Sequence, residues 1–330
     1  MSIAISIITP SFNQARFLEQ AIDSVLSQHY PNLQYCVIDG GSTDESVEII
    51  KKFEKHLSYW ISESDRGQSH AINKGIERAT GDVVNWLNSD DYLEPNALKI
   101  LAEKFSDPSV NVVAGRGHVV RNGNVVKTTG GTDVFPGNLP KTLARARIDQ
   151  PETYFRRSIF KQLGNLDESL HFTMDKEFWM RYLIRFGLKG VVKISDVLTN
   201  FRLQPDSKTS SQSAEFELES NGLMYQLAVA NGFMEQAQFI KMILPHSASM
   251  IEGDVRHGFK IETALAKSVL DNFLLYKADE AYDRHQYKSC LKLLLRLDRV
   301  SFDGQDSALL DQLKLKTKYL PGWIIKLLRS

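Results

Sequence analysis

Val83-Val84-Asn85-Trp86-Leu87-Asn88-Ser89-Asp90-Asp91 is the stretch on which the reading of the chain turns. A strand-like, mostly apolar run stops abruptly at small polar residues, the last two of them adjacent carboxylates. In an open parallel sheet, ligands collect just beyond the carboxyl ends of the strands. Neighbouring carboxylates repel each other there unless a cation lies between them or a substrate engages them. A hard divalent cation, Mg²⁺ or Mn²⁺, takes oxygen ligands and commonly shares them with phosphate. The competing reading has Asp90 and Asp91 simply capping a following helix over Asn96 to Phe105.

Upstream, residues 3 to 8 read as a buried strand ended by the turn Thr9-Pro10-Ser11-Phe12-Asn13. A helix with Leu18, Ile22, Val25 and Leu26 at helical spacing follows, and Pro31-Asn32 breaks the chain. Leu33 to Ile38 is a second strand, closed by Asp39-Gly40-Gly41-Ser42-Thr43-Asp44. The next helix turns Val47, Ile50 and Phe53 inward, with Thr43 and Asp44 placed to cap it. Tyr59 to Glu63 is a third strand. Ser64-Asp65-Arg66-Gly67-Gln68 then leads into a helix from Ser69 to Ala79, with Gly81 closing it. Strand-to-strand spacing of about 30 residues suits βαβ units. With the strand at Val83, this pattern predicts an α/β, doubly wound, mostly parallel sheet, helices on both faces and loops opening on one edge.

Downstream the pattern changes. Val112 to Ala114 is a strand, and His118 to Lys127 a hairpin turning at Asn122-Gly123. The loop-rich interval Thr128 to Asp149 is a candidate lid or acceptor loop. Gln150 to Phe155 is extended, and Arg156 to Leu163 is a short helix stopped by Gly164. A helix beginning near Thr173 buries Phe178, Trp179, Tyr182, Leu183 and Phe186, with Asp175 at its amino end, where the dipole favours the ionised form. Val191 to Ile194 and Val197 to Leu203 are short strands, followed by the polar run Gln204 to Ser211. From about Ala214 the pattern is helical, over Phe216 to Ile243 and Ile261 to Leu297. The expected division is therefore a domain over 1–212 and a helical extension over 213–330.

The 330 residues carry 40 basic and 40 acidic side chains, a balance that points away from nucleic acid as a partner. Cys36 and Cys290 read as reduced, buried thiols. Neither a signal peptide nor a run of about 20 apolar residues is expected, so the reading is cytoplasmic. The last segment, Leu313 to Arg329, mixes bulky apolar residues with Lys314, Lys316, Lys318, Lys326 and Arg329. Its end, Trp323 to Arg329, either lies on the inner face of a membrane as an amphipathic segment or docks as a terminal helix.

Three stretches taken together resemble family 2 of the inverting glycosyltransferases, with the A-type (GT-A), Rossmann-like nucleotide-diphospho-sugar transferase fold. They are Ser6 to Asn13, Val37 to Asp44, and Gly81-Asp82 followed by Asn88-Ser89-Asp90-Asp91. Thr173-Met174-Asp175-Lys176-Glu177-Phe178-Trp179 is similar to that family's base motif and aromatic pair. The resemblance covers about residues 3 to 210. This chain departs from the family at Asn88 or Ser89, where the metal element begins with Asp, and at Met174, where an acid commonly precedes the base.

The resemblance implies a sugar transferred, with inversion, from a nucleotide-diphosphate donor, a UDP-sugar, to a glycan or lipid-linked acceptor in cell-surface polysaccharide assembly. The sugar would be a hexosyl or N-acetylhexosaminyl group. It further implies Mn²⁺ or Mg²⁺ at Asp90 and Asp91, Thr9, Pro10 and Ser11 as a wall of the base site, and Asp39 as acceptor for a uracil N–H or a ribose hydroxyl. Asp39 otherwise forms a turn. Arg66 contacts phosphate or holds Asp65; Asn73 and Lys74 face the nucleotide edge or solvent. Arg202 and Lys208 cover the diphosphate or belong to a surface loop, and Phe178 and Trp179 stack on sugar or join the core. Asp175 is the expected general base, with Glu177 as its rival. A nucleotide-sugar-binding scaffold without turnover is the alternative function. A dinucleotide oxidoreductase is disfavoured because no Gly-x-Gly-x-x-Gly follows the first strand.

Overall fold

The computed structural model describes residues 3–204, 212–243 and 259–318. The chain alternates β1 (Ile5–Ser11), α1 (Ala15–Leu26), β2 (Leu33–Asp39), α2 (Ser46–Phe53), β3 (Tyr59–Ser62), α3 (Gln68–Arg78) and β4 (Val83–Trp86). Then come β5 (Tyr92–Leu93), α4 (Ala97–Phe105), β6 (Val112–Arg121), β7 (Asn124–Thr128), α5 (Leu139–Arg145), a single 3₁₀ turn (Gln150–Glu152) and β8 (Thr153–Arg156). Helix α6 (Arg157–Leu163), helix α7 (Met174–Phe186) and strand β9 (Val191–Arg202) follow. One nine-stranded sheet holds the order β3-β2-β1-β4-β8-β6-β9-β5, with β7 on β6. Strands β1 to β4 pair in parallel, as do β6 and β9, whereas β8, β5 and β7 run antiparallel to their neighbours.

Alternation along each strand explains why helices cover both faces. Ile5 and Ile7 join Leu18, Ile22 and Val25 of α1, Ile50 of α2, and Leu98, Leu101 and Phe105 of α4 in one cluster. Ile8 points the other way, onto α3: a Cβ at Gly75 would lie 2.4 Å from its Cγ2. Further along that second face, Phe155 meets Phe178, Trp179 and Tyr182 edge-on, so α7 is held by aromatic packing. Phe178 and Trp179 are both fully buried, which makes them core rather than sugar platforms.

Several boundaries differ from expectation. Thr9-Pro10-Ser11 continues β1 in register with Val37-Ile38-Asp39. Backbone groups of Ile8 face β4 and those of Ser11 face β2, so the missing N–H of Pro10 falls on the side where β4 has already ended. Gly81 does not close α3, which stops at Arg78 with an extended Ala79. Instead its N–H donates to Ser6 Oγ at 2.9 Å, and a Cβ there would strike the Ser6 backbone at 2.7 Å. Residues 112–121 form one strand, as do 191–202, each bent by a register shift rather than broken.

Two compact units emerge: residues 1–134 with 147–216, and residues 135–146 with 217–330. The second contains α5, part of the expected loop Thr128 to Asp149, together with α8 (Ser213–Ala230) from Glu217 onward, α9 (Met234–Ile243), α10 (Thr263–Asp283), α11 (Tyr287–Leu294) and α12 (Gly304–Lys318). Within it, Lys141 of α5 pairs with the buried Asp306 of α12 at 2.6 Å, and Asn138 caps α5 through Lys141 N. Among the described residues, no helix is long and apolar enough to cross a membrane. Residues 205–211, with Lys208, and the segment from Trp323 lie outside the described residues.

Gly75 supplies a direct test of the α3–β1 contact. Gly75→Ala should lower stability by about 1–2 kcal/mol, the overpacking cost outweighing the roughly 0.5–1 kcal/mol that alanine gains in a helix. A lower urea midpoint at unchanged slope is the expected result; an equal or higher midpoint would refute the contact.

Candidate active site at the carboxyl edge of the sheet

The ends of β1, β2 and β4 bring Ser11, Asp39 and the loop Asn88–Asp91 to one edge. Because β8 is antiparallel to β4, its first residue and the 3₁₀ turn before it reach that same edge. Helix α3 starts there too, since Gln68 Nε2 donates to Asn88 Oδ1 at 2.9 Å. Asp90 and Asp91 do not cap α4, whose N-cap is Asn96 in the left-handed region. They lead directly into β5.

The two carboxylates have unlike surroundings. Asp91 is 0% exposed and accepts the Arg202 backbone N–H at 3.0 Å, with Asn88 Nδ2 at the long distance of 3.4 Å. Burial, then the Asp90 charge, raises its carboxyl well above the usual range. Asp90 is only partly buried and accepts Gln204 Nε2 at 2.8 Å; burial raises it as well. Asp90 is thus the carboxylate that opens to the edge, and Asp91 anchors it from behind.

Arg202 belongs to that anchor rather than to a diphosphate cover. Its Nε donates to the Asp90 carbonyl at 2.8 Å and its NH2 to Gln20 Oε1 at 2.7 Å, while its guanidinium lies over Phe17 and Tyr92. Among the described residues no three side chains of metal-ligating type converge. Mg²⁺ sites shared with a substrate phosphate use one or two carboxylates and leave the rest to phosphate and water. Asp90 and Asp91 fit an ion of that kind.

Asp39 is fully buried, and its carboxylate gathers four donors. Oδ2 accepts Gly41 N, Ser42 N and Ser62 Oγ, and Oδ1 accepts Ser42 Oγ at 2.6 Å. The turn-forming role is therefore real, and one lone pair on Oδ1 remains for a ligand. Gly40 lets Asp65 lie against it, for a Cβ there would be 2.7 Å from Asp65 Oδ2. Asp44 accepts Ala15 N at the start of α1 and Ser46 N at the start of α2, so one side chain caps two helices. Asn13 Oδ1 in return accepts Thr43 N.

The other expected ligands divide. Ser11 is 4% exposed, and its hydroxyl finds no partner among the described residues, a costly state that a ligand or water would relieve. Pro10 is buried beside it. Thr9 does not face the site, because its hydroxyl meets Tyr35 OH at 2.9 Å inside the core. Arg66 does not hold Asp65; its Nε and NH2 both donate to Glu168 Oε2, while its side chain stays 67% exposed. Asn73 is 3% exposed and clasps Leu166 through both its N–H and its carbonyl, so it does not face the nucleotide edge. Lys74 pairs with Glu63. Phe12 was passed over as a turn residue, yet it is 60% exposed at this edge, and an aromatic ring in a strand-to-helix turn was the available signal.

Asp175 lies in the first turn of α7, partly buried, with its Oδ1 accepting Lys176 N at 2.7 Å. Ser69 of α3 reaches the Leu170 carbonyl, which sets the approach to α7 beside the first turn of α3 and hence beside the Asn88 loop. Glu177 is buried and forked by Arg181, whose remaining N–H groups hold the Leu163 and Asn165 carbonyls. Burial lifts Glu177 even so. It is a structural acid.

Glu152 was not expected at all, for nothing in Gln150-Pro151-Glu152 distinguishes it from a surface turn. It is 2% exposed, and burial, then the Asp149 charge, pushes its carboxyl from 4.5 to about 7. A carboxyl raised on folding binds more protons native than unfolded, so stability falls as pH climbs between those values. Glu152→Gln removes the titration. Its stability relative to wild type should therefore rise from about pH 4.5 to about pH 7 and then level, by on the order of 3 kcal/mol in total. Urea unfolding near pH 5 and near pH 8 measures it; a pH-independent difference would show that the carboxyl is not held up.

Residues 6–181 match the model of glycosyl transferase family 2. An uncharacterised glycosyltransferase of Rickettsia typhi is 27% identical over 239 residues, covering 68% of this chain and 72% of its own length. One of Nostoc is 32% identical over 165 residues, covering 49% of this chain and 46% of its own. Among solved structures, S. aureus TarS (residues 1–349) in complex with UDP-GlcNAc aligns with TM-score 0.58 and 18% identity, covering 96% of this chain and 88% of that one. The latter shows a shared GT-A-type fold. With more than half its length matched by the family model, the chain belongs to glycosyl transferase family 2.

Proposed function

We propose that this glycosyltransferase takes its sugar from a UDP-sugar, bound across the carboxyl edge, and transfers it with inversion to a glycan or lipid-linked acceptor. The observation that carries this reading is the convergence at one edge of a carboxylate with a spare lone pair (Asp39), a buried hydroxyl with no partner among the described residues (Ser11), and the opened carboxylate Asp90. Uracil offers an N–H to Asp39, and the exposed Phe12 offers a ring face to a base. The likeness in fold to a protein solved with UDP-GlcNAc supports a nucleotide-sugar donor of this class.

Asp90, backed by Asp91, would hold Mg²⁺ or Mn²⁺, which when bound neutralises charge on the departing diphosphate. The chain's own groups do the rest. Asp175 takes the proton of the acceptor hydroxyl as its oxygen bonds to the anomeric carbon. The bond from that carbon to the diphosphate breaks, and its electron pair leaves with the nucleotide. Attack from the face opposite the leaving group inverts the centre. Asp175 suits the role because it is the acid of α7 not consumed by Arg181.

Asp175→Asn keeps the shape and removes the basicity, so kcat should fall by at least ~10²-fold while donor affinity changes little. Transfer assays over a panel of UDP-sugars, with UDP binding measured by calorimetry, provide the test. Full activity of Asp175→Asn would place the base elsewhere, and failure of the wild type to bind UDP would sink the donor assignment itself.

A further inference from the structure

We propose that Glu152 is a positioning residue that clamps the far end of the carboxylate loop Asn88–Asp91, and that Gly117 lacks a side chain so that it can. The inference rests on reading Asp90 as the group that meets the donor's diphosphate.

The loop is tied at both ends to one 3₁₀ turn. At its entry, Gln150 Nε2 donates to Asn85 Oδ1 at 2.9 Å and to the Trp86 carbonyl at 2.8 Å, and Asn85 Nδ2 returns a bond to the Pro151 carbonyl. At its exit, Leu93 of β5 lies opposite Thr199 of β9, and Thr199 Oγ1 donates to Glu152 Oε2 at 3.1 Å. Arg202, on the same strand as Thr199, gives the N–H that Asp91 accepts. Gln150 thus grips β4, where the loop begins, and Glu152 grips β9, the strand against which β5 pairs where the loop ends.

The second oxygen of Glu152 reaches another element. Oε1 accepts Thr129 Oγ1 at 2.9 Å, and that hydroxyl already accepts Gly117 N and Gly131 N, each at 3.1 Å. With both lone pairs used, Thr129 must donate, so the group facing it has to be an acceptor. Thr199 is free to take either role. Gly117, opposite Thr199 in register, lies directly beneath the carboxyl: a Cβ there would be 2.7 Å from Oε1 and 3.0 Å from Cδ and Oε2. Any side chain at 117 would evict Glu152 without touching the loop itself.

A carboxyl at this position is expensive, buried beside Asp149 and within the field of Asp91. Glutamine satisfies both threonines, its oxygen towards Thr129 and its amide towards Thr199. Leucine satisfies neither.

The experiment compares wild type with Glu152→Gln, Glu152→Leu and Gly117→Ala by two readouts. The first is amide exchange in the apo protein at Leu93 and Glu94, whose N–H groups donate to Ser24 Oγ and the Leu198 carbonyl. The second is UDP affinity in Mn²⁺ and in EDTA. Glu152→Leu and Gly117→Ala should speed exchange at both amides and cut the Mn²⁺-dependent gain in UDP affinity by about 10-fold, with affinity in EDTA unchanged. Glu152→Gln should match wild type in both. Should Glu152→Leu not fold, Gly117→Ala carries the comparison. Undisturbed exchange in the folded variants, an equal loss of UDP affinity with and without Mn²⁺, or a glutamine variant as impaired as leucine would each overturn the proposal. If wild type binds UDP no better with Mn²⁺ than with EDTA, the metal reading of Asp90 falls, and the exchange rates alone decide the role of Glu152.

Discussion

A carboxylate with no access to water has to be supplied with partners, and Asp91 is that group. An ionised carboxyl buried alone is so unfavourable that the chain must either neutralise it or surround it with donors. Here the donors come from far along the sequence. The Arg202 N–H arrives on β9, and the Asn88 amide is itself steadied by Gln68 at the start of α3. Satisfying one acid therefore fixes β9, the loop after β4 and the first turn of α3 against each other. The Arg202 side chain then returns to the Asp90 carbonyl, so the same residue holds both members of the pair.

That arrangement also gives a reason for Asn88, one of the two residues, with Ser89, at which the chain departs from the acid-led element it resembles. Its amide nitrogen can donate towards Asp91 and its oxygen can accept from Gln68, two functions that an ionised aspartate could not combine. A third carboxylate at this point would add repulsion to a pair already lifted by burial. Neutrality at 88 lowers the charge of the loop.

How much of this was legible follows from the range of each interaction. The four parallel strands, the hairpin at Asn122-Gly123 and the buried face of α7 are written in local periodicity and turn chemistry, and each was readable. The Asp39 turn and the Asp44 cap depend on neighbours a few residues away and were readable for the same reason. The partner of Arg66, Glu168, was not legible because it lies 102 residues on, and Asn73 was misplaced because Leu166 lies 93 residues on. Glu152 was invisible on the same grounds: its burial is produced by β6 and β9 closing over a turn that looks like surface. Motifs disclose where a site is; they do not disclose which of its polar residues face inward.

The two acids of α7 show how backbone geometry then sorts such candidates. Residues two apart on a helix point about 200° from each other, so Asp175 and Glu177 cannot share a face. Glu177 is on the face that carries Arg181 one turn later, and that pair is buried with its N–H groups committed to the Leu163 and Asn165 carbonyls. Losing Glu177 would leave a buried guanidinium short of its counter-charge, a structural fault rather than a chemical one. Asp175 turns the other way, at a helix start whose dipole favours the charged form and whose approach is fastened to α3 beside the Asn88 loop. The chain thus uses one helix turn for two purposes, a buried ion pair that fixes where α7 begins and, across the helix from it, the carboxylate of Asp175 in the first turn.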